Sequence, residues 1–193
     1  MNKTILTDVD GVLLDWEHSF TEWMNLNGYF QQANTNQHYD IGHRYGLSNN
    51  KAHQLVREFC SSAWVRFLPV FRDARSGVAH LVEAGYTFIA ITSLSNDPMA
   101  AKLRMRNLED IFGKGVFTEL TCLPTGSGKR DALAKYAGSG LYWIEDNVQN
   151  AIDGAELGLK SILVEHGHNA VCEHKEVMRV ADWASIVNII VND

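Results

Sequence analysis

Two acidic side chains, separated by one residue, stand at the end of the first apolar run of the chain. The segment reads Thr4-Ile5-Leu6-Thr7-Asp8-Val9-Asp10-Gly11 and predicts a strand over Thr4–Asp8 that leads into Asp-x-Asp-Gly. A buried carboxylate is tolerated when it is paired, hydrogen-bonded or bound to a metal. Asp8 and Asp10 therefore predict a chemical site, because one carboxylate can attack an electrophile while the other moves a proton.

Further polar side chains follow the other predicted strands or begin a predicted helix. Ligands of open parallel sheets bind at the carboxyl ends of the strands, so we expect these side chains to share one edge with the two acids. Carboxylates, a hydroxyl and a lysine together can hold Mg²⁺ and a phosphate group. In chain order, the candidates are Thr92, Ser93, Lys129, Glu145 and Asp146.

The chemistry of such a set assigns a role to each member. Asp8 can attack phosphorus and form an aspartyl-phosphate, which divides one difficult step into two. Asp10 can protonate the leaving oxygen and then activate water. Thr92 and Lys129 would hold the phosphoryl oxygens where charge accumulates, and Asp146 would complete the oxygen ligands of Mg²⁺.

The elements that must position these residues alternate along the chain between apolar runs and helical patterns. Such alternation favours a parallel α/β sheet, so we predict a Rossmann-like sheet flanked by helices, formed by residues 1–14 and 71–193. The predicted strands are Thr4–Asp8, Thr87–Thr92, Val116–Leu120, Leu141–Ile144 and Ser161–Val164. The predicted helices are Ala74–Ala84, Pro98–Ile111, Lys129–Ala137, Ala151–Leu157 and Trp183–Ile190.

Residues 15–70 interrupt this alternation. The segment contains amphipathic patterns at Glu17–Asn27 and Asn49–Phe59, and it is too long for an ordinary loop. We predict a small helical cap inserted after the first strand. The segment is rich in aromatic residues, most of which must pack the cap, and Trp16 and Trp64 are the candidates for a wall against a ligand.

Composition restricts the class of protein and its partners. A formal net charge of -6 argues against a nucleic-acid polymer as partner and leaves a small phosphorylated substrate. Three widely spaced cysteines, Cys60, Cys122 and Cys172, favour free thiols over disulfides or a zinc site. Because no run is long enough to span a bilayer and no signal peptide is recognisable, we expect a cytoplasmic protein without a membrane partner. The sequence leaves open whether the protein forms a homodimer.

Four motifs in order give the chain a resemblance to the haloacid-dehalogenase-like (HAD) phosphohydrolase superfamily. They are Asp8-Val9-Asp10-Gly11, the strand end Ile89–Thr92, Lys129, and the acidic pair Glu145-Asp146. Within that superfamily the chain most resembles the 5'(3')-deoxyribonucleotidases. That closer likeness rests on Asp8–Glu17 (DVDGVLLDWE), Ser62–Ala74 (SAWVRFLPVFRDA), Thr92-Ser93, Trp143–Asn147 and Ala181-Asp182-Trp183.

The resemblance implies a Mg²⁺-dependent hydrolase of phosphoric monoesters that acts on (deoxy)nucleoside monophosphates. The implied metal residues are Asp8, Asp10 and Asp146, and the implied substrate residues are Thr92, Ser93, Lys129, Trp16 and Trp64. A HAD-type phosphatase or phosphomutase acting on a sugar phosphate or another small metabolite is the alternative within enzymes. A non-catalytic ligand-binding or scaffold protein is the alternative of another class.

Two departures from the family pattern leave roles open. The spacing from Lys129 to Asp146 is longer than the subfamily pattern, so Lys135 is the alternative phosphate lysine. Glu145 stands where aspartate is usual, which favours Asp146 as the metal ligand with Glu145 behind it.

Two further motifs resemble unrelated sites. Pro124–Lys129 resembles part of a P-loop but lacks its first glycine and the hydroxyl residue after the lysine. The histidines at 166, 168 and 174 suggest polar residues at the rim of a pocket more than a metal site.

Overall fold

Six parallel strands form one sheet in the computed structural model, which describes residues 3–35, 38, 40–170 and 174–193. The strands are β1 (Thr4–Thr7), β2 (Thr87–Thr92), β3 (Phe117–Cys122), β4 (Tyr142–Glu145), β5 (Lys160–Val164) and β6 (Val177–Val180). Their spatial order is β3-β2-β1-β4-β5-β6, and each neighbouring pair is parallel. The order reverses between β1 and β4, which is where open α/β sheets bind their ligands.

Eight helices accompany the strands among the described residues. They are α1 (Trp16–Leu26), α2 (Ile41–Tyr45), α3 (Asn49–Cys60), α4 (Ala74–Glu83), α5 (Pro98–Phe112), α6 (Arg130–Leu133), α7 (Val148–Glu156) and α8 (Trp183–Asn192). Short 3₁₀ turns cover Ala63–Arg66, Ala134–Tyr136 and Gly167–Asn169. No helix in this part of the chain is long and apolar enough to cross a membrane.

The central strands are buried on both faces of the sheet. Ile5 and Leu6 are adjacent in β1 and fully buried, yet they belong to two different hydrophobic clusters. Alternate residues of a strand point to opposite faces, so each cluster fills the space between the sheet and one helical layer. Trp183 of α8 lies in one of these layers, where its indole Nε1 donates to the carbonyl oxygen of Val12 at 2.9 Å.

Helices α1 to α3 and the turn Ala63–Arg66 follow β1 and precede α4 and β2, and no described residue between those two strands forms a further strand of the sheet. The interior of this segment contains the buried rings of Phe20 and Phe59, whose centroids are 5.4 Å apart. The segment leaves and rejoins the sheet through a pair of neighbouring connections. Asp15 N donates to Pro69 O at 2.9 Å, and Leu14 forms a β-bridge with Val70. A cap bounded at residues 15 and 70 stays a prediction.

The structure confirms the predicted fold class and most of its elements. Strand β2 has the predicted bounds, whereas β6 was not predicted because its four residues at the sheet edge alternate only weakly in burial. The predicted helix Lys129–Ala137 is shorter: α6 begins at Arg130, and a 3₁₀ turn replaces its second half. The short helix α2 was also not predicted. Cys172 lies outside the described residues.

Candidate active site

The two central strands place Asp8 beside Glu145. Asp8 follows β1 directly, and its backbone N–H donates to the carbonyl oxygen of Ile144 in β4 at 2.8 Å. The side chain of Glu145 is fully buried, and Asp8 is 5% exposed. Two carboxylates at this depth require a compensating cation.

Lys129 supplies one positive charge to both acids. Its Nζ lies 2.7 Å from Asp8 Oδ2 and 2.7 Å from Glu145 Oε2. The lysine precedes α6, and its backbone N–H donates to Asn150 Oδ1 at 3.2 Å. Lys135, the alternative lysine, lies on the surface, where its Nζ pairs with Glu119 at 2.6 Å. The structure therefore places Lys129, and not Lys135, next to the acids.

Glu145 shapes the turn that carries Asp146. While its Oε2 accepts from Lys129, its Oε1 accepts the backbone N–H groups of Asp146 at 3.0 Å and Asn147 at 2.9 Å. Both oxygens of Glu145 therefore already have hydrogen-bond partners within the protein. Asp146 is the acid of the pair with the freer carboxylate.

Asp146 is packed against the glycine turn that follows β1. Gly11 has a φ of +78°, and a Cβ on this residue would overlap Asp146 Oδ2. A residue without a side chain is needed here for both reasons. The absence of a side chain at position 11 therefore allows the turn and Asp146 to pack closely together.

The loop after β5 contacts both the Gly11 turn and Asp146. The Nε2 atom of His166 lies 2.8 Å from Gly11 O and 3.8 Å from Asp146 Oδ2, and its ring stacks on Phe71 at 5.0 Å. Because a carbonyl oxygen only accepts, Nε2 is the protonated nitrogen of this contact. Asn169 donates to Asp146 O at 2.8 Å.

The carboxylate of Asp10 faces an arginine from helix α5. Both terminal nitrogens of Arg104 bond to it, Nη1 to Oδ1 and Nη2 to Oδ2, the latter at 3.3 Å. The Arg104 side chain is fully buried, while that of Asp10 is 22% exposed. Part of the Asp10 side chain therefore remains exposed.

Burial and mutual repulsion shift the pKa values of the acids upward. Burial, followed by repulsion from Glu145, raises the pKa of Asp8 well above its ordinary range. Burial and the nearby Asp8 raise the pKa of Asp146 to about 7, and burial also raises the pKa of Glu145. Burial disfavours the charged form of Lys129, but Asp8 and Glu145 outweigh it and raise the pKa of the ammonium group. The cluster of Asp8, Glu145 and Asp146 therefore has more negative charge than Lys129 alone can balance.

The acidic cluster fits a divalent metal ion. Asp8, Glu145 and Asp146 each offer an oxygen, and these oxygens lie within 4.8 Å of one another. Three ionised carboxylates against one ammonium leave two negative charges to balance. Mg²⁺ takes oxygen ligands of this kind and keeps several waters, so a small number of carboxylates suffices. The predicted metal set included Asp10, which is not a member of this group.

The remaining predicted site residues are Thr92, Ser93, Trp16 and Trp64. Thr92 is buried at the end of β2, next to β1 in the sheet, and its backbone O accepts from Leu123 N. Ser93 Oγ donates to Ser127 O at 2.7 Å. Trp16 and Trp64 are half-buried and both pack on Phe59, so part of each indole is committed to the interior of the α1–α3 segment.

Three residues around the site had no assigned role in the sequence analysis. Arg104, His166 and Asn169 contact Asp10, Gly11 and Asp146 from elements far along the chain. The His-x-His pattern gave a weak signal for His166, and its predicted place at a pocket rim stays a prediction. Nothing in the local sequence distinguishes Arg104 from the other basic residues of α5.

Comparisons with known proteins agree with this fold. No protein-family model matches the chain. An uncharacterised 32.4 kDa protein of enterobacteria phage T4, from the Gp30-rIII intergenic region, is 28% identical over 140 residues. That match covers 70% of this chain and 50% of the phage protein, so the chain spans about half the length of its curated relative.

Several solved structures have the same architecture over nearly the whole chain. A Clostridium difficile protein described as a phosphatase superposes with a TM-score of 0.66 at 17% identity, covering 97% of this chain and 98% of its own. D,D-heptose 1,7-bisphosphate phosphatase from B. bronchiseptica, solved with magnesium and phosphate, gives 0.62 at 14% identity, covering 98% of each chain. An L-2-haloacid dehalogenase gives 0.62 at 14%, with 98% and 100% coverage. The chain has the haloacid-dehalogenase-like fold.

Proposed function

We propose that this protein is a Mg²⁺-dependent phosphohydrolase that acts on a small phosphomonoester through an aspartyl-phosphate on Asp8. The observation that carries the proposal is the position of Asp8 at the reversal point of the sheet. There Asp8 Oδ2 lies 2.7 Å from Lys129 Nζ, and its carboxylate shares an oxygen cluster with Asp146. A carboxylate nucleophile, a cation and a metal site meet there, as phosphoryl transfer requires.

Asp8 and Asp10 divide the reaction between them. Asp10 enters the cycle as the neutral acid. An oxygen of Asp8 attacks phosphorus, the bond from phosphorus to the leaving oxygen breaks, and Asp10 donates its proton to that oxygen. Asp10, now ionised, takes a proton from water as the water attacks phosphorus, and the bond between phosphorus and Asp8 breaks to release inorganic phosphate. Asp8 returns to its carboxylate form and Asp10 to its acid form, so the cycle balances.

Lys129 and the metal site handle the negative charge of the phosphoryl group. Lys129 offers a buried ammonium group next to the attacking carboxylate, where electrostatic stabilisation is strong. Asp8 and Asp146 would hold Mg²⁺, which supplies positive charge that reduces repulsion between the nucleophile and the phosphoryl oxygens. Thr92 and Ser93, at the end of the neighbouring strand, are proposed to bind those oxygens.

The substrate class is the finer part of the proposal. Sequence resemblance favours a (deoxy)nucleoside monophosphate, with Trp16 and Trp64 against the base or sugar. A sugar phosphate fits at least as well, because the structural matches with the same fold include a heptose bisphosphate phosphatase. The proposed cap, residues 15–70, would supply the side chains that distinguish these substrates.

A phosphate-release panel tests the proposal. Wild-type protein is assayed on nucleoside 5'- and 3'-monophosphates and on hexose and pentose phosphates, with Mg²⁺ or with EDTA. We expect Mg²⁺-dependent turnover of one class and none by Asp8→Asn. A preference for sugar phosphates would overturn the nucleotide assignment alone. No turnover of any substrate, or full activity of Asp8→Asn, would overturn the enzymatic function and favour a ligand-binding role.

A further inference from the structure

Arg104 is a fully buried cation whose terminal nitrogens both reach Asp10. It lies in the middle of α5, the helix that follows β2, and its side chain has no exposed surface. Nη1 and Nη2 bond to the two oxygens of the Asp10 carboxylate, while the Nε atom has no hydrogen-bond partner among the described residues. One donor of a buried guanidinium therefore remains unsatisfied.

An arginine in this position is a costly choice for stability. Removing a charged group from water is costly, and well-packed apolar residues of similar volume commonly stabilise a core as well or better. The unsatisfied Nε, a buried donor without an acceptor, adds to that cost. The presence of Arg104 is therefore not explained by the stability of the fold.

Attachment of α5 does not explain Arg104 either. The next turn of the helix is already joined to the segment that leads back to the sheet, because Asn107 Nδ2 donates to Leu68 O at 3.1 Å. Asp110, further along, pairs with Arg66. These two contacts attach α5 to residues 66–68 without any contribution from the guanidinium group of Arg104.

The planar fork of Arg104 has a specific effect on Asp10. Two parallel bonds to one carboxylate restrict both its position and the plane of its oxygens, whereas a lysine ammonium would restrict one oxygen only. Asp10 sits in a tight turn, in which Gly11 N donates to Leu14 O at 2.9 Å, so its backbone is also fixed. The side chain of Asp10 nevertheless keeps 22% of its surface exposed.

We propose that Arg104 is a positioning residue that fixes the carboxylate of Asp10 for proton transfer. This inference rests on the proposed function, because it assigns Asp10 as the proton donor and acceptor. In this proposal Arg104 contacts no substrate atom and acts through Asp10 alone. Proton transfer by a positioned side chain contributes about 10²–10⁴-fold to a rate, so loss of its orientation has a measurable effect on kcat.

A double-mutant cycle tests the assignment. We expect Arg104→Met to lower kcat about 100-fold while KM and the inhibition constant of inorganic phosphate change less than about twofold. Arg104→Lys keeps the charge but not the fork, and we expect an intermediate kcat with a melting temperature near that of the wild type. Arg106→Met, at an exposed position on the same helix, is the matched control and should leave kcat, KM and the inhibition constant of phosphate unchanged.

The Asp10→Asn background separates positioning from a structural role. If Arg104 acts through Asp10, Arg104→Met lowers kcat no further in that background. An equal loss in both backgrounds, or wild-type kcat in Arg104→Met and Arg104→Lys, would overturn the inference. Where Arg104→Met fails to fold, Arg104→Lys alone decides, because a full-rate lysine variant contradicts the need for the fork. Activity in Asp8→Asn would instead overturn the proposed function.

Discussion

The carboxylate of Asp146 occupies the space that a side chain on Gly11 would need. The left-handed φ of Gly11, +78°, and this contact combine at one residue of the turn that carries Asp8 and Asp10. The turn that carries Asp8 and Asp10 and the proposed metal ligand Asp146 therefore fit together only with glycine at position 11.

We predict that Gly11→Ala destabilises the protein and weakens the proposed Mg²⁺ site. A left-handed alanine costs about 1–2 kcal/mol, and the new Cβ must also displace the Asp146 carboxylate. The checks are thermal unfolding without metal and the increase in Tm on adding Mg²⁺. The matched control is Gly28→Ala, which has a φ of +82° and open space around the new Cβ. Gly28→Ala should lose stability but keep the full Mg²⁺ effect; an equal Mg²⁺ effect in Gly11→Ala would contradict the prediction.

Replacement of Lys129 by methionine removes the cation shared by Asp8 and Glu145. Breaking a buried ion pair from one side costs about 3–5 kcal/mol, so the free energy of unfolding without metal should fall by this order. We also expect kcat to fall at least about 100-fold, because Lys129 is the ammonium group proposed to stabilise the phosphoryl charge. Chemical denaturation and phosphate release measure the two effects.

Lys135→Met is the control for the Lys129 substitution. Its surface pair with Glu119 is worth about 0.2–1 kcal/mol, and it lies outside the acidic cluster. Its kcat should match that of the wild type. If Lys135→Met lost activity and Lys129→Met kept it, the assignment of the phosphate lysine would be wrong.

Without metal, the stability of the protein should decrease as the pH rises. Burial and Asp8 raise the pKa of Asp146 to about 7 in the folded state, above its usual value. The stabilisation from the protonated group is therefore complete below the unfolded pKa and is lost as pH rises through about 7. The raised pKa values of Asp8 and Glu145 act in the same direction.

Thermal unfolding between about pH 5 and about pH 8, in EDTA and in Mg²⁺, measures this dependence. We expect Tm in EDTA to fall toward high pH and Mg²⁺ to reduce the fall. Asp146→Asn should raise Tm at high pH in EDTA and abolish the Mg²⁺ effect, whereas Glu22→Gln, at an exposed position, should change neither. A Tm in EDTA that is independent of pH would refute the electrostatic explanation.

The parts of the fold that follow local patterns were predictable from sequence. Strand β2 is an apolar run bounded by Gly85 and Ser93, and its observed bounds are the predicted ones. In a parallel sheet covered on both faces, such runs are continuous and easy to recognise. Strand β6 lies at the edge, where burial is partial and the pattern correspondingly weak.

The residues that complete the site come from distant contacts and were not predictable in this way. Arg104 is 94 residues from Asp10, and His166 is 155 residues from Gly11. A helical pattern places Arg104 on α5 but does not reveal that an inward-facing cation has an acidic partner in another element. The motif residues Asp8, Lys129 and Asp146 could be proposed because each stands at a strand end or helix start.

The trapping of a phosphate group on Asp8 is the most direct test of the proposed function. The protein is mixed with Mg²⁺ and radiolabelled acetyl phosphate, quenched in acid, digested, and the labelled peptide is sequenced. We predict an alkali-labile label on the peptide that contains Asp8, more of it in Asp10→Asn because water is no longer activated, and none in Asp8→Asn. A label on another residue, or phosphate release by Asp8→Asn at the wild-type rate, would contradict the assignment of Asp8 as the nucleophile.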